Sequence, residues 1–399
     1  FLFSQEIPNE FQSFKLYKLK LDIGENWVNN TTLSSPRFQD LENFKSNKEI
    51  NKDSLNINFR AGYFLYGEGK SFYAFSRFGF KKYLYGYLYP RIVNNPKFFD
   101  RYTGIPRSID RGGFNSGETD LSGIGFQNNW VYFQIGRGRE GWGAGNDIQI
   151  SLSENSPAYD YFMLGSNYGN LKVKYFHGFL ESYNEINRYI MGKGFEWSNN
   201  NSFILSLSEV VVYTGFRRGI DFGYFNPISS HLEIELNNRL NIEGEGNANG
   251  IWQISLDLIS KNYLRLSANL LFDEFVLDQV ELDRGKEHGK SYSFRISYPF
   301  LKNKNNFLIL YSSYIYAGTP TFRHGNGYNN FVQRGKPLGW RYGSDSEEIK
   351  LGFKFLNKNK LIGNFEFGQR KSGDENIIYR SYEPYEDYIG GIFPSGKIN

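Results

Sequence analysis

The chain has 399 residues, which is enough for two or three domains or for one large all-β domain. Aromatic residues make up 18% of it, with 30 tyrosines and 37 phenylalanines, while the net charge is only +4. The small charge and the lack of a dense Lys/Arg tract exclude a typical nucleic-acid-binding protein, and the absence of cysteine excludes disulfides and thiolate metal sites.

A membrane location is compatible with this composition, although no apolar run is as long as a membrane-spanning helix. A transmembrane β-strand needs only about 9–11 residues, of which every second one faces lipid. Such strands have a polar average composition, and the mean hydropathy of this chain is −0.53. The composition therefore leaves a β-barrel in a membrane open.

The N-terminal part of the chain differs from the rest. Residues 1–4, FLFS, resemble the end of a secretory signal peptide. Within residues 5–53, the stretch SSPRFQDLENF offers Ser35 as an N-cap and a proline at the first helical position, which predicts a helix from Pro36 to Phe44. We expect residues 5–53 to form a small, periplasmic, helical element outside the main body.

From residue 54 to residue 399 the dominant pattern has period two, which is typical of strands with one apolar and one polar face. Apolar and polar residues alternate most clearly in the segments 55–65, 171–179, 252–258, 292–298 and 349–355. Tyrosines also cluster on strands, and we interpret them as girdles at the membrane interfaces. These tyrosines are Tyr83, Tyr85, Tyr87, Tyr89, Tyr311, Tyr314 and Tyr316.

Short, Asn-rich turns separate many strands, whereas the longer segments 95–121, 215–248, 273–290 and 317–346 interrupt them. Short turns at one end and long loops at the other are typical of outer-membrane barrels. A soluble β-sandwich shows the same alternation, but this many strands would need several sandwiches with linkers, and we see no such linkers. The predicted fold class is all-β: a transmembrane, antiparallel, up-and-down β-barrel of about 16–18 strands with a small N-terminal helical element.

In such a barrel the polar faces of the strands point into the lumen. These polar residues are Arg60, Arg77, Lys172, Lys174, Asp257, Arg265, Asn269, Arg295, Lys350, Lys354, Asn364 and Glu366. They have two interpretations: ion pairs that brace the barrel, or a track for a polar ligand.

Gly136, Gly138 and Gly141 form a G-x-G-x-x-G pattern directly after the strand-like run WVYFQI, which is half of a dinucleotide-binding fingerprint. The complete fingerprint requires a helix whose N-terminal amides hold the pyrophosphate. Here more glycines follow, and then an alternating run at 148–152 predicts another strand. We therefore expect these glycines to serve a tight bend and not a nucleotide.

Several loops combine arginine with carboxylates and with tryptophan or glutamine, as in GRGREGWG, TGFRRGIDFGYFNP and FVQRGKPLGWRYGSDSEEI. Flat aromatic faces suit the C–H surfaces of sugars, and guanidinium groups match the carboxylates of acidic sugars. Neighbouring carboxylates could also form a glycosidase pair, but no catalytic motif is present. The four histidines form no zinc-ligand pair. We therefore expect no enzymatic activity, no cofactor and no metal.

Residues 135–181, which include GRGREGWGAGND and LSENSP, resemble the signature of the Wzi-family capsule assembly proteins. Residues 207–238 and 337–355 resemble later segments of that family in the same order, and SSPRFQDLENF stands where members have a short helical element. The resemblance implies an outer-membrane barrel with a small periplasmic helical part. It also implies that the protein binds capsular or exopolysaccharide and tethers it to the cell surface.

The sequence thus predicts a monomeric, non-enzymatic protein in the outer membrane of a Gram-negative bacterium, with surface polysaccharide and outer-membrane lipid as partners. The candidate glycan-binding residues are Arg137, Arg139, Glu140, Trp142, Glu209, Arg217, Arg218, Asp221, Gln333, Arg334, Trp340 and Arg341. Within this set we expect Glu209 and Asp221 to pair with the charges of the glycine bend. The alternatives are a porin or uptake channel for sugars or anionic solutes, and a barrel enzyme. Loops that fold inward favour the polysaccharide-binding protein, whereas an open pore favours the channel.

Overall fold

The computed structural model describes residues 6–25, 27–35, 37, 55–81, 83–108, 112–242, 248–276, 279–303, 306–357 and 361–385. In this part of the chain, fifteen strands form one continuous antiparallel sheet, and two short strands form a separate hairpin. None of the helices in these residues is long and apolar enough to cross a membrane.

The sheet consists of β1 (Leu55–Tyr66), β2 (Gly69–Phe80), β3 (Leu84–Asn94), β4 (Ser116–Gln127), β5 (Val131–Gly138), β6 (Tyr159–Tyr168), β7 (Leu171–Tyr183), β8 (Ile186–Ser198), β9 (Phe203–Phe216), β10 (Ala248–Ile259), β11 (Arg265–Glu274), β12 (Gly289–Lys302), β13 (Asn306–Ala317), β16 (Ser346–Asn357) and β17 (Ile362–Ser372). The hairpin consists of β14 (Val332–Gln333) and β15 (Lys336–Pro337). The helices are α1 (Gln12–Asp22), α2 (His231–Leu236) and α3 (Gln279–Asp283).

Each strand of the sheet pairs with the preceding and following sheet strands, so the order is that of an up-and-down meander. Because successive strands run in opposite directions, the connections β3–β4, β5–β6, β9–β10 and β13–β16 all lie at one end, which we call the loop end. The opposite end, the turn end, has only short connections. The predicted all-β, antiparallel meander is therefore confirmed, with fifteen strands in the described residues against a predicted 16–18.

The two faces of the sheet differ in polarity, as the alternation predicts. The outer face exposes large apolar side chains, among them Ile57, Phe59, Leu88, Ile124, Ile135, Phe195, Leu205, Leu207, Ile254, Phe294, Leu351 and Phe353. The inner face carries buried polar and charged side chains, among them Lys174, Glu196, Asp257, Arg265, Asn269 and Arg295. A soluble sheet buries its apolar face, so this arrangement is that of strands whose outer face meets lipid.

The predicted tyrosine girdle is wrong for Tyr85, Tyr87 and Tyr89, which are buried on the inner face. They belong to an apolar cluster with Phe11 of the N-terminal segment, and the rings of Phe11 and Tyr89 are 5.7 Å apart. Tyr311 also faces inward, with the Arg295 guanidinium 3.9 Å from its ring centre. These tyrosines are buried because other parts of the chain fill the inner side.

The N-terminal segment is one of those fillers, and its described part does not stand outside the main body as expected. Asp22, at the end of α1, forms ion pairs with Arg265 (3.2 Å) and Arg295 (3.0 Å) on the inner face. The side chain of Asn30 donates to Asp257 at 2.9 Å. The predicted helix from Pro36 to Phe44 lies outside the described residues, apart from position 37, which forms an isolated β-bridge with residue 6.

Two loop-end segments complete the filling of the inner side. Residues 139–158, between β5 and β6, and residues 318–345, between β13 and β16, contribute to the largest core cluster of the protein. Ile150, Leu152, Phe331 and Leu338 are buried in that cluster together with inward side chains of the strands. The two segments also bond to each other, since the Ser153 amide donates to the carbonyl of residue 338 at 3.0 Å. The core of the protein therefore lies on the inner side of the sheet.

Candidate functional site

The glycine bend at the end of β5 takes the chain from the sheet to the inner side. Gly143 has a φ of 137°, a backbone conformation that favours glycine, and a side chain at Gly138 would force the Glu6 carboxylate to move. Residues 139–158 contain no helix. A helix N-terminus that could receive a pyrophosphate is thus missing from this segment, as expected.

Residues 148–152 add no strand to the sheet, contrary to the sequence prediction. Their only ladder contact is an isolated bridge between Trp142 and Leu152. Ile148 and Ile150 are buried in the main core beside these two residues. Apolar contacts and hydrogen bonds on the inner side, such as those from Asn269 and Ser293 to the Ile148 carbonyl, hold this segment. Its alternating pattern therefore reflects burial and not membership of the sheet.

The two arginines of the bend are held by carboxylates of neighbouring strands. Arg137 forms ion pairs with Glu118 of β4 and with Asp160 of β6, the latter at 3.1 Å. Arg139 is almost completely buried and forms an ion pair with Asp120 of β4 at 2.5 Å. Arg139 therefore fastens the inward segment to the wall of the sheet, whereas Arg137 joins the end of β5 to its two neighbouring strands.

Glu140 is the centre of a buried charge network. It accepts from Arg37 (3.0 Å), from Lys174 (2.5 Å) and from the indole nitrogen of Trp142 (3.0 Å). Glu6 lies in the same network, where burial raises the pKa of its carboxyl and the charge of Arg37 only partly offsets that effect. The network joins the N-terminal segment, the glycine bend and β7, so these candidate residues brace the inner side.

Gln333 and Arg334, in the inward segment 318–345, also hold this segment to neighbouring parts of the protein. The Gln333 side-chain nitrogen donates to the carbonyls of Ala158 (3.0 Å) and Leu180 (3.1 Å), which ties the β14–β15 hairpin to β6 and β7. Arg334 forms an ion pair with Glu118 at 2.8 Å. Glu118 thus pairs with one arginine from the end of β5 and with one from the inward segment 318–345.

Glu209 lies on the other side of the sheet from the glycine bend, so the expected pairing with it is wrong. Glu209 is the register partner of Trp252, whose neighbours on either side face inward. Its carboxylate forms ion pairs with Lys193 (2.6 Å) and His231 (2.8 Å). His231 belongs to residues 217–242, which fold back over the outer face and which we call the outer cover.

Asp221, Arg217 and Arg218 also belong to the outer cover and not to the inner side. Asp221 pairs with Arg218 at 2.6 Å, and both side chains are buried against the outer face of β9. Arg217 is exposed and pairs with Glu185 at 2.9 Å. The structure therefore separates these four candidates from those on the inner side, because odd-numbered positions of β9, Glu209 included, face outward. Arg137 is also on an outward-facing position, since it follows the exposed Phe133 and Ile135 at spacings of two on β5 and pairs in register with the exposed Asp160.

The remaining two candidates, Trp340 and Arg341, line a cavity of about 510 Å³ on the inner side. Its wall is formed by α1, by the two inward loop-end segments and by the inner faces of β16 and β17. The cavity is lined by Asn9, Phe14, Lys15, Lys18, Leu19, Arg101, Asp147, Gln149, Ser153, Asn155, Trp340, Arg341, Tyr342, Glu348, Lys350, Lys354, Ile362, Asn364 and Glu366. A volume of this size falls within the usual range of small-ligand sites, about 300–1,000 Å³.

Positive charge exceeds negative charge among the lining residues, with six lysines and arginines against three carboxylates. Lys18 is held by Asp147 at 2.9 Å and by Glu154. Burial alone would lower the pKa of Lys18, but the two carboxylates raise it above its ordinary value. By contrast, Lys15 is exposed on α1. The guanidinium of Arg341 makes a long ion pair of 3.6 Å with the exposed carboxylate of Asp100 and lies 4.9 Å from the centre of the Tyr342 ring.

The period-two pattern predicts the inward orientation of the strand residues that line this cavity, but it does not predict the helical ones. Lys350, Lys354, Asn364 and Glu366 were expected to point inward, and all four line the cavity. The lining residues on α1, including Lys15, were not predicted, because no helix was expected in this part of the sequence. The three-residue spacing of Lys15 and Lys18 would have placed both on one helix face, although the third lysine of α1, Lys20, does not continue that spacing.

Other depressions of the surface are less suited to a polar ligand. A depression of about 800 Å³ on the outer face of β2–β5 is lined mainly by apolar side chains and glycines, among them Phe78, Leu88, Ile124 and Ile135. It belongs to the lipid-facing surface. In the described residues there is no group of three or more histidines and carboxylates that could hold a metal ion.

Comparison with solved structures identifies the fold. Wzi of Escherichia coli, described as an outer-membrane protein involved in group 1 capsule assembly and a carbohydrate-binding β-barrel, superposes with a TM-score of 0.55. The two sequences are 12% identical, and the match covers 82% of this chain and 73% of Wzi. The chain has the fold of an outer-membrane protein. Together with the exposed apolar outer face, this confirms the predicted location in the outer membrane of a Gram-negative bacterium.

Two further solved structures match less well. OccAB1 of Acinetobacter baumannii has a TM-score of 0.37 at 11% identity and covers 87% of this chain and 95% of its own. OccK2 of Pseudomonas aeruginosa, solved with glucuronate, has a TM-score of 0.38 at 12% identity and covers 79% of each chain. No protein-family model and no curated protein sequence matches the chain.

Proposed function

We propose that the protein is a closed outer-membrane β-barrel of the Wzi type that binds a surface polysaccharide on its inner side and helps to hold it at the cell surface. The observation that carries this proposal is the cavity of about 510 Å³, which stays free while other segments fill the inner side around it. This function requires no chemical step, because the residues that line the cavity are assigned only to binding.

The lining of the cavity provides the groups that an oligosaccharide segment needs. Trp340 and Tyr342 form an aromatic wall with ring centres 5.5 Å apart, and such rings pack against the C–H faces of sugars. Arg341 and Lys15 offer charged donors to hydroxyl and carboxylate oxygens. The resemblance of the sequence to Wzi-family segments and the carbohydrate-binding description of Wzi support the same function.

Seven of the twelve predicted site residues lie on the inner side, but most of them act as braces in this proposal. Arg139, Glu140, Gln333 and Arg334 hold the inward segments by ion pairs or hydrogen bonds. Arg137 joins the end of β5 to its neighbouring strands. Trp142 is completely buried, so it cannot touch a ligand. Direct contact with the polysaccharide therefore falls mainly to Arg341 and Tyr342, together with residues of α1, β16 and β17, while Trp340, which is only 3% exposed, supports the ring of Tyr342.

The test measures the affinity of the purified protein for polysaccharide extracted from the surface of the source bacterium. Arg341→Ala should weaken binding about five- to tenfold. A charge-assisted hydrogen bond contributes roughly 1.5–3 kcal/mol, and the half-exposed position of this side chain reduces the contribution to about 1–1.4 kcal/mol. Lys15→Ala should weaken binding in the same direction.

The matched control is Arg239→Ala, which removes one partly exposed arginine from the outer cover, where it pairs with Glu233 at 2.8 Å. It should leave the affinity unchanged. Unchanged affinity in Arg341→Ala and Lys15→Ala, with both proteins folded, would remove the cavity from the proposal. A wild-type protein that does not bind the polysaccharide at all would reject the function.

A further inference from the structure

The outer cover places a short loop-and-helix segment on the face of the sheet that meets lipid. Residues 217–242 leave β9 at the loop end, return along the outer face and include α2. The carbonyl of Tyr224 accepts from Tyr175 of β7 at 2.9 Å, and the ring of Phe225 lies 5.3 Å from that of Phe162 of β6. At the other edge, the His231 ring packs on Trp252 of β10 at 4.8 Å. The cover thus spans five strands, β6 to β10.

Underneath, the cover shields polar side chains that would otherwise face the membrane. Lys193 and Glu209 point outward from the middle of β8 and β9, and their ion pair measures 2.6 Å. The cover adds partners to both, since Ser230 donates to Glu209 at 3.0 Å and Lys193 donates to the carbonyl of Ser229. Charges on a lipid-facing surface are costly when they are unshielded. The cover removes that cost at this position.

The exposed surface of the cover is apolar, although it is a loop. Phe222, Ile228 and Leu236 have 81%, 82% and 81% of their surface exposed, and Ile220 and Leu232 add 48% and 47%. Exposing five large apolar side chains on one short segment to water costs free energy, at about 25 cal/mol for each Å². A contiguous apolar surface of this kind marks a contact with lipid or protein.

The distance that the cover extends along β9 indicates whether its apolar side chains can contact lipid. β9 has 14 residues, whereas a strand needs only about 9–11 to cross the hydrocarbon layer. The cover reaches Glu209, seven residues from the loop end of β9 at Phe216. Even if all surplus residues of β9 protrude at the loop end, part of the cover lies at the level of the hydrocarbon. Below it, the exposed side chains of Phe195, Leu205 and Leu207 continue the apolar surface.

We propose that the outer cover is embedded in the outer leaflet of the membrane, with Phe222, Ile228 and Leu236 in contact with lipid acyl chains. The cover makes the lipid-facing surface continuous over strands that carry charges at mid-height. This is a membrane-contacting surface in addition to the strands themselves, and it does not depend on the polysaccharide site.

The chain contains no cysteine, so a single introduced cysteine gives a unique site for a fluorescent label. Phe222→Cys, Ile228→Cys and Leu236→Cys would be labelled, and the full-length protein would be placed in vesicles of dioleoylphosphatidylcholine with or without brominated acyl chains. Bromine should quench these labels at least twofold, and aqueous iodide should quench them little. The lipid-facing reference is Leu207→Cys on the exposed lower part of β9, and it should show the same pattern.

The aqueous reference is Ile105→Cys, an equally exposed apolar position in the β3–β4 connection at the same end of the sheet. That label should respond to iodide and not to bromine. Cover labels that behave like the label at position 105 would overturn the proposal. Cover labels that resist both quenchers, together with disulfide-linked dimers after mild oxidation of the unlabelled cysteine variants, would overturn it in favour of a contact between two copies of the chain.

Discussion

Arg139 illustrates how single residues stabilise the inner side. Its guanidinium lies 2.5 Å from the Asp120 carboxylate and 2.9 Å from the carbonyl of Ser156, and it is almost fully buried. Arg139→Ala should lower the free energy of unfolding by about 3 kcal/mol, the lower end of the range for breaking a buried pair. The lower end applies because Arg91 remains 3.4 Å from Asp120. Urea unfolding of the protein in detergent, followed by tryptophan fluorescence, would measure the change.

Arg217→Ala is the matched control for that substitution. Its pair with Glu185 is exposed to solvent, so the expected loss is below about 1 kcal/mol. Equal losses in the two variants would mean that the Arg139 pair contributes no more than a surface pair does. Polysaccharide binding should persist in Arg139→Ala as long as the protein is folded, because Arg139 does not line the cavity.

Which way a side chain faces could be predicted from the sequence, but its partner could not. Alternation placed Lys174 inward, and the structure agrees, yet its contact with Glu140 joins residues 34 positions apart. For Glu209 the pattern and the residue type disagreed. Its spacing from Leu205 and Leu207 put it outward, while its charge suggested the inner side. The spacing was the better guide, because the outer cover supplies partners that the local sequence does not reveal.

At the scale of elements, the docking of α1 depends on ionised groups and should therefore depend on pH. Burial would raise the pKa of Asp22, but Arg295, Lys354 and Arg265 together hold it below the ordinary value. A depressed carboxyl pKa stabilises the docked state above the pKa of the undocked group, about 3.9, and the effect is lost as the pH falls through the docked-state pKa. Lys18 has a raised pKa, so its contribution is lost only as the pH rises above about 10.4.

The N-terminal segment should accordingly stay docked at neutral pH and loosen in acid below about pH 4. A fluorescent label on Lys15→Cys, which is exposed on α1, would report this as increased quenching by iodide between pH 5 and pH 2.5. Asp22→Asn should weaken docking already at neutral pH and reduce the acid transition. A label whose quenching does not change over this pH range would show that the ion pairs of α1 do not control its docking.

The strands were more predictable than α1 for a physical reason. A strand with one face toward lipid and one toward the inner side must alternate, so its pattern is visible in the sequence. In contrast, α1 is surrounded by the inner face and the loop segments, and even Lys18 and Asp22 are buried. Its sequence, QSFKLYKLKLD, therefore has no clear polar stripe, and its Lys-Leu alternation also fits a strand.

At the scale of the whole molecule, the arrangement of the sheet constrains how a barrel could close. β1 and β17 are the two edges of the fifteen-stranded order, and both run from the turn end to the loop end. A direct pairing between them would therefore be parallel, whereas every pairing within the sheet is antiparallel. An antiparallel closure needs a further strand that runs in the opposite direction. Unpaired edges in hydrocarbon are costly, which favours closure in the membrane.

Ion conductance distinguishes the polysaccharide-binding protein from the channel. The segments 6–25, 27–35, 139–158 and 318–345 all pack on the inner side, where an open channel would have water. The reconstituted wild-type protein should therefore conduct ions poorly across a planar bilayer. Asp22→Asn combined with Lys18→Gln should raise the conductance, because the pairs that hold α1 to Arg265, Arg295 and Asp147 are lost. Arg239→Ala, in the outer cover, should leave it unchanged. A large, steady conductance of the wild-type protein would instead favour the uptake channel. It would mean that the segments that fill the inner side do not block ions in the resting protein.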